Sequence, residues 1–309
     1  MKRGAQLQLD SSIANSDGQI DQLAKAYLYQ VARVMALPQV KVVNFLLGLV
    51  IGKAAQRLAE MSVELDQKIK QGGPAVGVRC LLPHFVTGYE AWGQERVPNT
   101  GPLIIAANHP SSYDGLIITA CINRPDYKII IGDIPPYHFL PNVCKHAIFS
   151  PPVKDTFGRM RVIREAIQHL KQGGALLMFP RGNIEPDPAF MHDPGFEFNQ
   201  WSRSLEILLR RVPQTRVMIT IVSGVISQSA MRHPITRFRR SQKDRQRLAY
   251  INQIIRQVLS GRELFGLKPQ VTFGAIVSKT REQNILTEIE LAAQLSLQQH
   301  QAHFKFTVR

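Results

Sequence analysis

Cysteine is scarce in this chain. Cys80, Cys121 and Cys144 are scattered through 309 residues, and an odd, unclustered three does not make a disulfide framework, so a reduced, cytosolic setting is expected. The scarcity also removes zinc-finger spacing. Cys144, His146 and His138 lack the paired spacing of metal ligands, and no metal site is expected. Long apolar runs are missing too. The most apolar stretch, Val42 to Ile51, is about half of the roughly twenty residues a bilayer span requires. The N-terminus carries Lys2 and Arg3 but continues into the polar stretch Gln6 to Gln22, so no secretory signal is expected there.

Acids are the remaining shortage: 23 Asp and Glu face 38 Lys and Arg, a formal net charge of +15. Such a balance suits anionic partners, among them a phospholipid surface, the phosphates of coenzyme A, an acidic carrier protein or nucleic acid. The densest basic run, Arg232 to Arg247, contains Arg237, Arg239, Arg240, Lys243, Arg245 and Arg247 with only Asp244 opposing. A solvated face is its plain explanation, with membrane or carrier contact ahead of nucleic acid. No aromatic ribonucleoprotein motif or helix-turn-helix supports nucleic-acid recognition.

The chain is long enough to bury a large core, and its pattern divides near residue 75. Residues 1–75 read as a helical N-terminal segment in which Pro38 separates two amphipathic pieces; Lys53 and Arg57 are placed to reach headgroups if Val42 to Ile51 dips into one leaflet. A buried core helix is the alternative for that piece. Gly72-Gly73-Pro74 marks the boundary, and 76–309 reads as an α/β domain, a mixed sheet flanked by helices. Strands are expected at Val76–Leu81, Val86–Gly88, Leu103–Ala107, Lys128–Ile131, Ala175–Phe179, Val217–Val222 and Gln270–Phe273. Helices are expected near Gly115–Ile122, Arg159–Lys171, Asn199–Arg211, Lys243–Leu259 and Thr287–Ala302.

Chemistry concentrates in two blocks. The first, Asn108-His109-Pro110-Ser111-Ser112-Tyr113-Asp114, follows the apolar run Leu103 to Ala107 and sets a histidine five residues before a carboxylate. A continuous helix would turn the two apart, so they meet only if one lies at a turn. Pro110 supplies it. His109 is then expected at a strand-to-helix corner and Asp114 about one turn into the helix, its carboxylate leaning back toward the ring. A carboxylate on one ring nitrogen fixes the tautomer, leaves the other nitrogen as a base and stabilises the imidazolium. Ser111 and Ser112 read as partners of the first helical N–H groups rather than as nucleophiles. Alone, the pair reads more plainly as a loop histidine and a helix-start acid.

The second block, Phe179-Pro180-Arg181-Gly182-Asn183, ends the apolar run Ala175 to Phe179 in a tight turn where α/β sheets bind ligands. Together the blocks resemble the glycerolipid acyltransferase superfamily, whose members carry a His-x-x-x-x-Asp block and then Phe-Pro-Glu-Gly-Thr. The approach Thr100 to His109 and the segment Gly158 to Gly174, with its Gly-Gly exit, resemble the family as well. The likeness runs from about Val86 to about Ser227.

Two departures stand out. The family's Phe-Ile-Asp-Arg block aligns with Ile148-Phe149-Ser150-Pro151, so its phosphate-binding arginine is absent. The glutamate of the last block is Arg181 and its threonine Asn183. Arg181 can supply the missing guanidinium, or the acceptor carries no phosphate. Glu185 can stand in for the glutamate, though a surface loop acid is its plainer reading.

The resemblance implies a glycerolipid acyltransferase-like fold and an O-acyltransferase in which an acceptor hydroxyl attacks an acyl thioester directly. His109 would be the base and Asp114 its orienting acid. Arg181, Gly182 and Asn183 would bind substrate, with backbone N–H groups near Gly182 facing the oxyanion. The donor would be acyl-CoA or acyl carrier protein, and the acceptor a lysophospholipid or similar hydroxyl. No cofactor is implied, and the protein is expected at the cytoplasmic face of an anionic membrane. The alternative is a lipid-binding scaffold on the same fold without turnover. Phe139, Phe149, Phe157, Phe190, Phe196 and Phe198 are candidates to line an acyl groove or fill the core, and residues 187–195 read as a loop over the site.

Overall fold

Leu103, Ile105 and Ala107 point to one side of a strand while Ile104 and Ala106 point to the other, and all five are buried, so this strand must be covered on both faces. The computed structural model supplies both layers. It describes residues 16–304 apart from 36, 39, 153, 191–200, 202–203 and 279–284. In chain order the elements are α1 (Ser16–Val34), α2 (Lys41–Leu81), β1 (Glu90–Trp92), β2 (Leu103–Ala107), α3 (Asp114–Cys121), β3 (Tyr127–Gly132), α4 (Pro141–Lys145), β4 (Ala147–Ser150) and α5 (Thr156–Lys171). There follow β5 (Ala175–Met178), α6 (Ser204–Arg211), β6 (Arg216–Ser223), α7 (Gln228–Met231), α8 (Gln242–Ser260), β7 (Gln270–Ser278) and α9 (Ile285–Phe304).

The strands form one seven-stranded mixed sheet in the order β1-β7-β6-β2-β5-β3-β4. All pairings are parallel except β6 with β7. Two apolar layers result: Leu103, Ile105 and Leu177 pack with α2, α3 and α8, and Ile104, Leu176 and Ile219 with α5, α6 and α9. This is the α/β architecture expected, with helices preceding the sheet.

The N-terminal helices differ from expectation in detail. Val76–Leu81 is not a strand but the end of α2. The helix breaks at Gly73, φ 83°, and resumes behind Pro74, a residue whose fixed φ suits a helical first turn. Val86–Gly88 is irregular, and the first strand is instead the short β1. Arg57 is exposed, and its guanidinium donates to the carbonyl of Leu259. Asp66 accepts N–H groups from Asn142 at 2.7 Å and Val143 at 2.8 Å, fixing α4 against α2.

The first turns of α2 leave Val42, Phe45, Leu46, Leu49 and Val50 exposed at helical spacing on one face, Phe45 at 66% and Val50 at 75%. One 18-residue window of this helix, longer than the run 42–51, is apolar enough to match a membrane span by length and composition.

The Gly-Gly exit from α5 has two distinct causes. Gly173 takes φ 86°, and a side chain on Gly174 would lie 2.3 Å from the His169 ring, which is bonded to the Ala175 carbonyl at 3.0 Å.

Candidate active site

β2 and β5 are adjacent and parallel, with Leu103 opposite Ala175 and Ala106 opposite Met178. The two sequence blocks therefore leave the sheet side by side at its carboxyl edge, the usual ligand side of an α/β sheet. The His109 ring stacks on the Phe179 ring with centroids 4.2 Å apart and planes 22° from parallel.

His109 Nδ1 lies 2.9 Å from Asp114 Oδ2. The same oxygen accepts the N–H of Ser111 at 3.0 Å, and Oδ1 accepts that of Gly115 at 2.6 Å, so the carboxylate is locked before it meets the ring. Asp114 is the first residue of α3 rather than one turn inside it, because residues 110–113 form bends instead of helix. Ser111 Oγ accepts the Tyr113 N–H at 3.0 Å and is fully buried, whereas Ser112 is exposed. The Asp114 side chain is 1% exposed and that of His109 25%. Nε2 of His109 has no hydrogen-bond partner among the described residues and is left to accept a proton.

Burial opposes the charged imidazole, but the charge and hydrogen bond of Asp114, with the charge of Glu185, outweigh it and raise the His109 pKa above 6.5.

Glu185 is not a surface loop acid. It is 1% exposed, its Oε2 accepts the His109 N–H at 2.8 Å, and its Oε1 faces Trp201 Nε1 at 3.3 Å. Burial pushes its carboxyl up to about 7. Sequence alone offered only an acid near the second block; the contact spans 76 residues and depends on how two loops cross.

Gln246 ties these loops to α8. Its amide nitrogen donates to Pro110 O at 2.7 Å and Glu185 O at 2.8 Å. Asp187, fully buried, accepts N–H groups of Gly224 at 2.9 Å and Val225 at 3.0 Å, joining the same loop to the end of β6. Burial raises its pKa to about 6. Neither glutamine nor aspartate carries a sequence motif.

The second block forms the turn expected, with Gly182 at φ 67°. The Gly182 N–H donates to Phe179 O at 2.9 Å and closes that turn, so it is already engaged as a donor. Gly182 and Asn183 are exposed, and no hydrogen bond joins either to His109 or Asp114 among the described residues. Arg181 is half-buried, and its charge acts on both Glu185 and Lys243. Of the aromatic residues, Phe157 is 92% exposed, Phe149 stacks with Tyr137 at 6.3 Å, and Phe196 and Phe198 lie outside the described residues, as does 191–195 of the overhanging loop. No group of metal-binding side chains occurs among the described residues.

Residues 89–227 match the family model described as Acyltransferase, close to the span over which the motifs showed their likeness. The crystal structure of the 1-acyl-sn-glycerophosphate (LPA) acyltransferase PlsC from Thermotoga maritima is similar to this chain with 17% sequence identity, covering 94% of this chain and 98% of that one, at a TM-score of 0.43. No curated protein matches the chain.

Proposed function

We propose that this chain, whose residues 89–227 match the Acyltransferase family model, is a glycerolipid acyltransferase-like O-acyltransferase of the His-x-x-x-x-Asp type that moves a fatty acyl group from acyl-CoA or acyl carrier protein to a lipid-like hydroxyl. The observation that carries the reading is the His109–Asp114 pair, 2.9 Å apart, with one acid buried and one ring partly open.

The chemistry follows from that pair. Asp114 holds the proton on Nδ1, so Nε2 is the base. As the acceptor oxygen attacks the thioester carbonyl carbon, Nε2 takes the hydroxyl proton and the imidazolium is stabilised by Asp114. The tetrahedral intermediate collapses with cleavage of the C–S bond, and the leaving thiolate recovers the proton from His109. Ester and free thiol are the products, and neither acyl-enzyme nor cofactor enters. General-base assistance of this kind contributes about 10² to 10⁴ in rate. The half-buried Arg181 is the group we assign to an acceptor phosphate, in place of the arginine absent at Pro151.

Residues 1–75 are proposed to attach the protein to the cytoplasmic face of an anionic membrane, with 76–309 catalytic. Support comes from the exposed apolar face of α2 and the net charge of +15. The deciding experiment supplies labelled acyl thioesters with a panel of phosphorylated and neutral hydroxyl acceptors. Acylated product from one acceptor class supports the enzyme; acceptor binding without product from any of them would indicate the lipid-binding scaffold.

A further inference from the structure

We infer that Glu185 is the positioning residue of His109, pinning its main chain and adding a second negative charge that stabilises the imidazolium. The kinetic part of this inference rests on the acyltransferase reading; the contact itself does not.

Residues 109 and 185 are bonded in both directions. The His109 N–H donates to Glu185 Oε2 at 2.8 Å, and the Glu185 N–H donates back to His109 O at 2.8 Å. Gln246 then clamps the carbonyls of both Pro110 and Glu185. Main-chain freedom at the corner that aims the imidazole is thereby reduced, which the single hydrogen bond from the ring to Asp114 cannot achieve.

The charge calls for a separate reason. The donors that Glu185 binds are neutral N–H groups, and a glutamine would accept the same His109 N–H without the cost of burying a charge. What the acid adds is a charge that favours the His109 imidazolium. The charged groups acting on it are His109 from the β2–α3 corner, Arg181 from its own loop and Lys243 from α8; Asp114 holds the His109 ring, and Asp187 is two residues on. His109 thus meets two acids, Asp114 at its ring and Glu185 at its main chain. This chain has Arg181 where the family motif has glutamate, and Glu185 brings a carboxylate back to the site from a different backbone position.

The test is Glu185→Gln, which keeps the size and the carbonyl acceptor and removes the charge. With ¹³C-labelled histidine, the His109 ring signal, assigned by its loss in His109→Ala, should titrate at lower pH than in the parent. The kcat should fall about tenfold with KM unchanged, and Glu185→Asp should recover part of both effects. A folded Glu185→Gln protein in which His109 titrates as in the parent would overturn the inference. Should that variant not fold, hydrogen exchange in the unaltered protein decides: the His109 amide should be as protected as those inside β2, and exchange at the rate of an exposed loop would overturn the contact. If the unaltered protein transfers no acyl group, the acyltransferase reading fails while titration and exchange still judge Glu185.

Discussion

Asn108 and Val222 hold each other through two hydrogen bonds, the Asn108 amide nitrogen donating to Val222 O at 2.9 Å and the Val222 N–H to Asn108 Oδ1 at 2.7 Å. The side chain thereby extends β2's pairing with β6 past the last strand residue and fixes the chain immediately before His109. Asn108→Ala leaves two buried backbone groups unsatisfied and should destabilise the protein by about 2–4 kcal/mol, measured by urea denaturation. A loss under about 0.5 kcal/mol would show that water replaces the amide.

The raised His109 pKa fixes the sign of the pH dependence. The base is active when neutral, so kcat/KM should rise with pH through a value above 6.5. Asp114→Asn removes the opposing charge; the limb should move to lower pH while the plateau falls about 10² to 10⁴-fold. The interaction also stabilises the fold, fully below 6.5 and less as pH rises through the raised value, and this contribution should vanish in the variant. An unshifted limb would assign the titration to another group, Glu185 at about 7 first among them.

Arg181→Glu restores the family's residue and removes the cation assigned to phosphate. Transfer to phosphorylated acceptors should fall at least tenfold relative to neutral ones, compared as kcat/KM. Equal loss across both classes would contradict that assignment.

Much of this site was legible because it is local. The strand Leu103–Ala107, the corner at Pro110 and the turn at Gly182 each follow from neighbouring residues, and the parallel pairing of β2 with β5 brings the blocks together. The strand expected at Val76–Leu81 was misread because β-branched Val76 and Val78 favour strands, yet here they continue a helix whose far side packs on the core. Glu185, Asp187 and Gln246 carry no pattern of their own. Their role exists only where three loops and α8 meet, and short-range periodicity does not report such meetings.

The exposed face of α2 gives a prediction independent of catalysis. Phe45→Ser with Leu49→Ser should weaken flotation with anionic vesicles at least fivefold and change unfolding stability by less than about 0.5 kcal/mol, since both side chains are exposed. Unchanged flotation would move attachment to the basic surface of the α/β region.

The most direct measurement is the rate of acyl transfer by His109→Ala with the acceptor that serves the unaltered protein best. The ring is a quarter exposed and its removal leaves Asp114 bonded to Ser111 and Gly115, so the variant should fold and lose about 10² to 10⁴ in kcat. Activity within a few-fold of the parent, from a folded protein, would contradict His109 as the base.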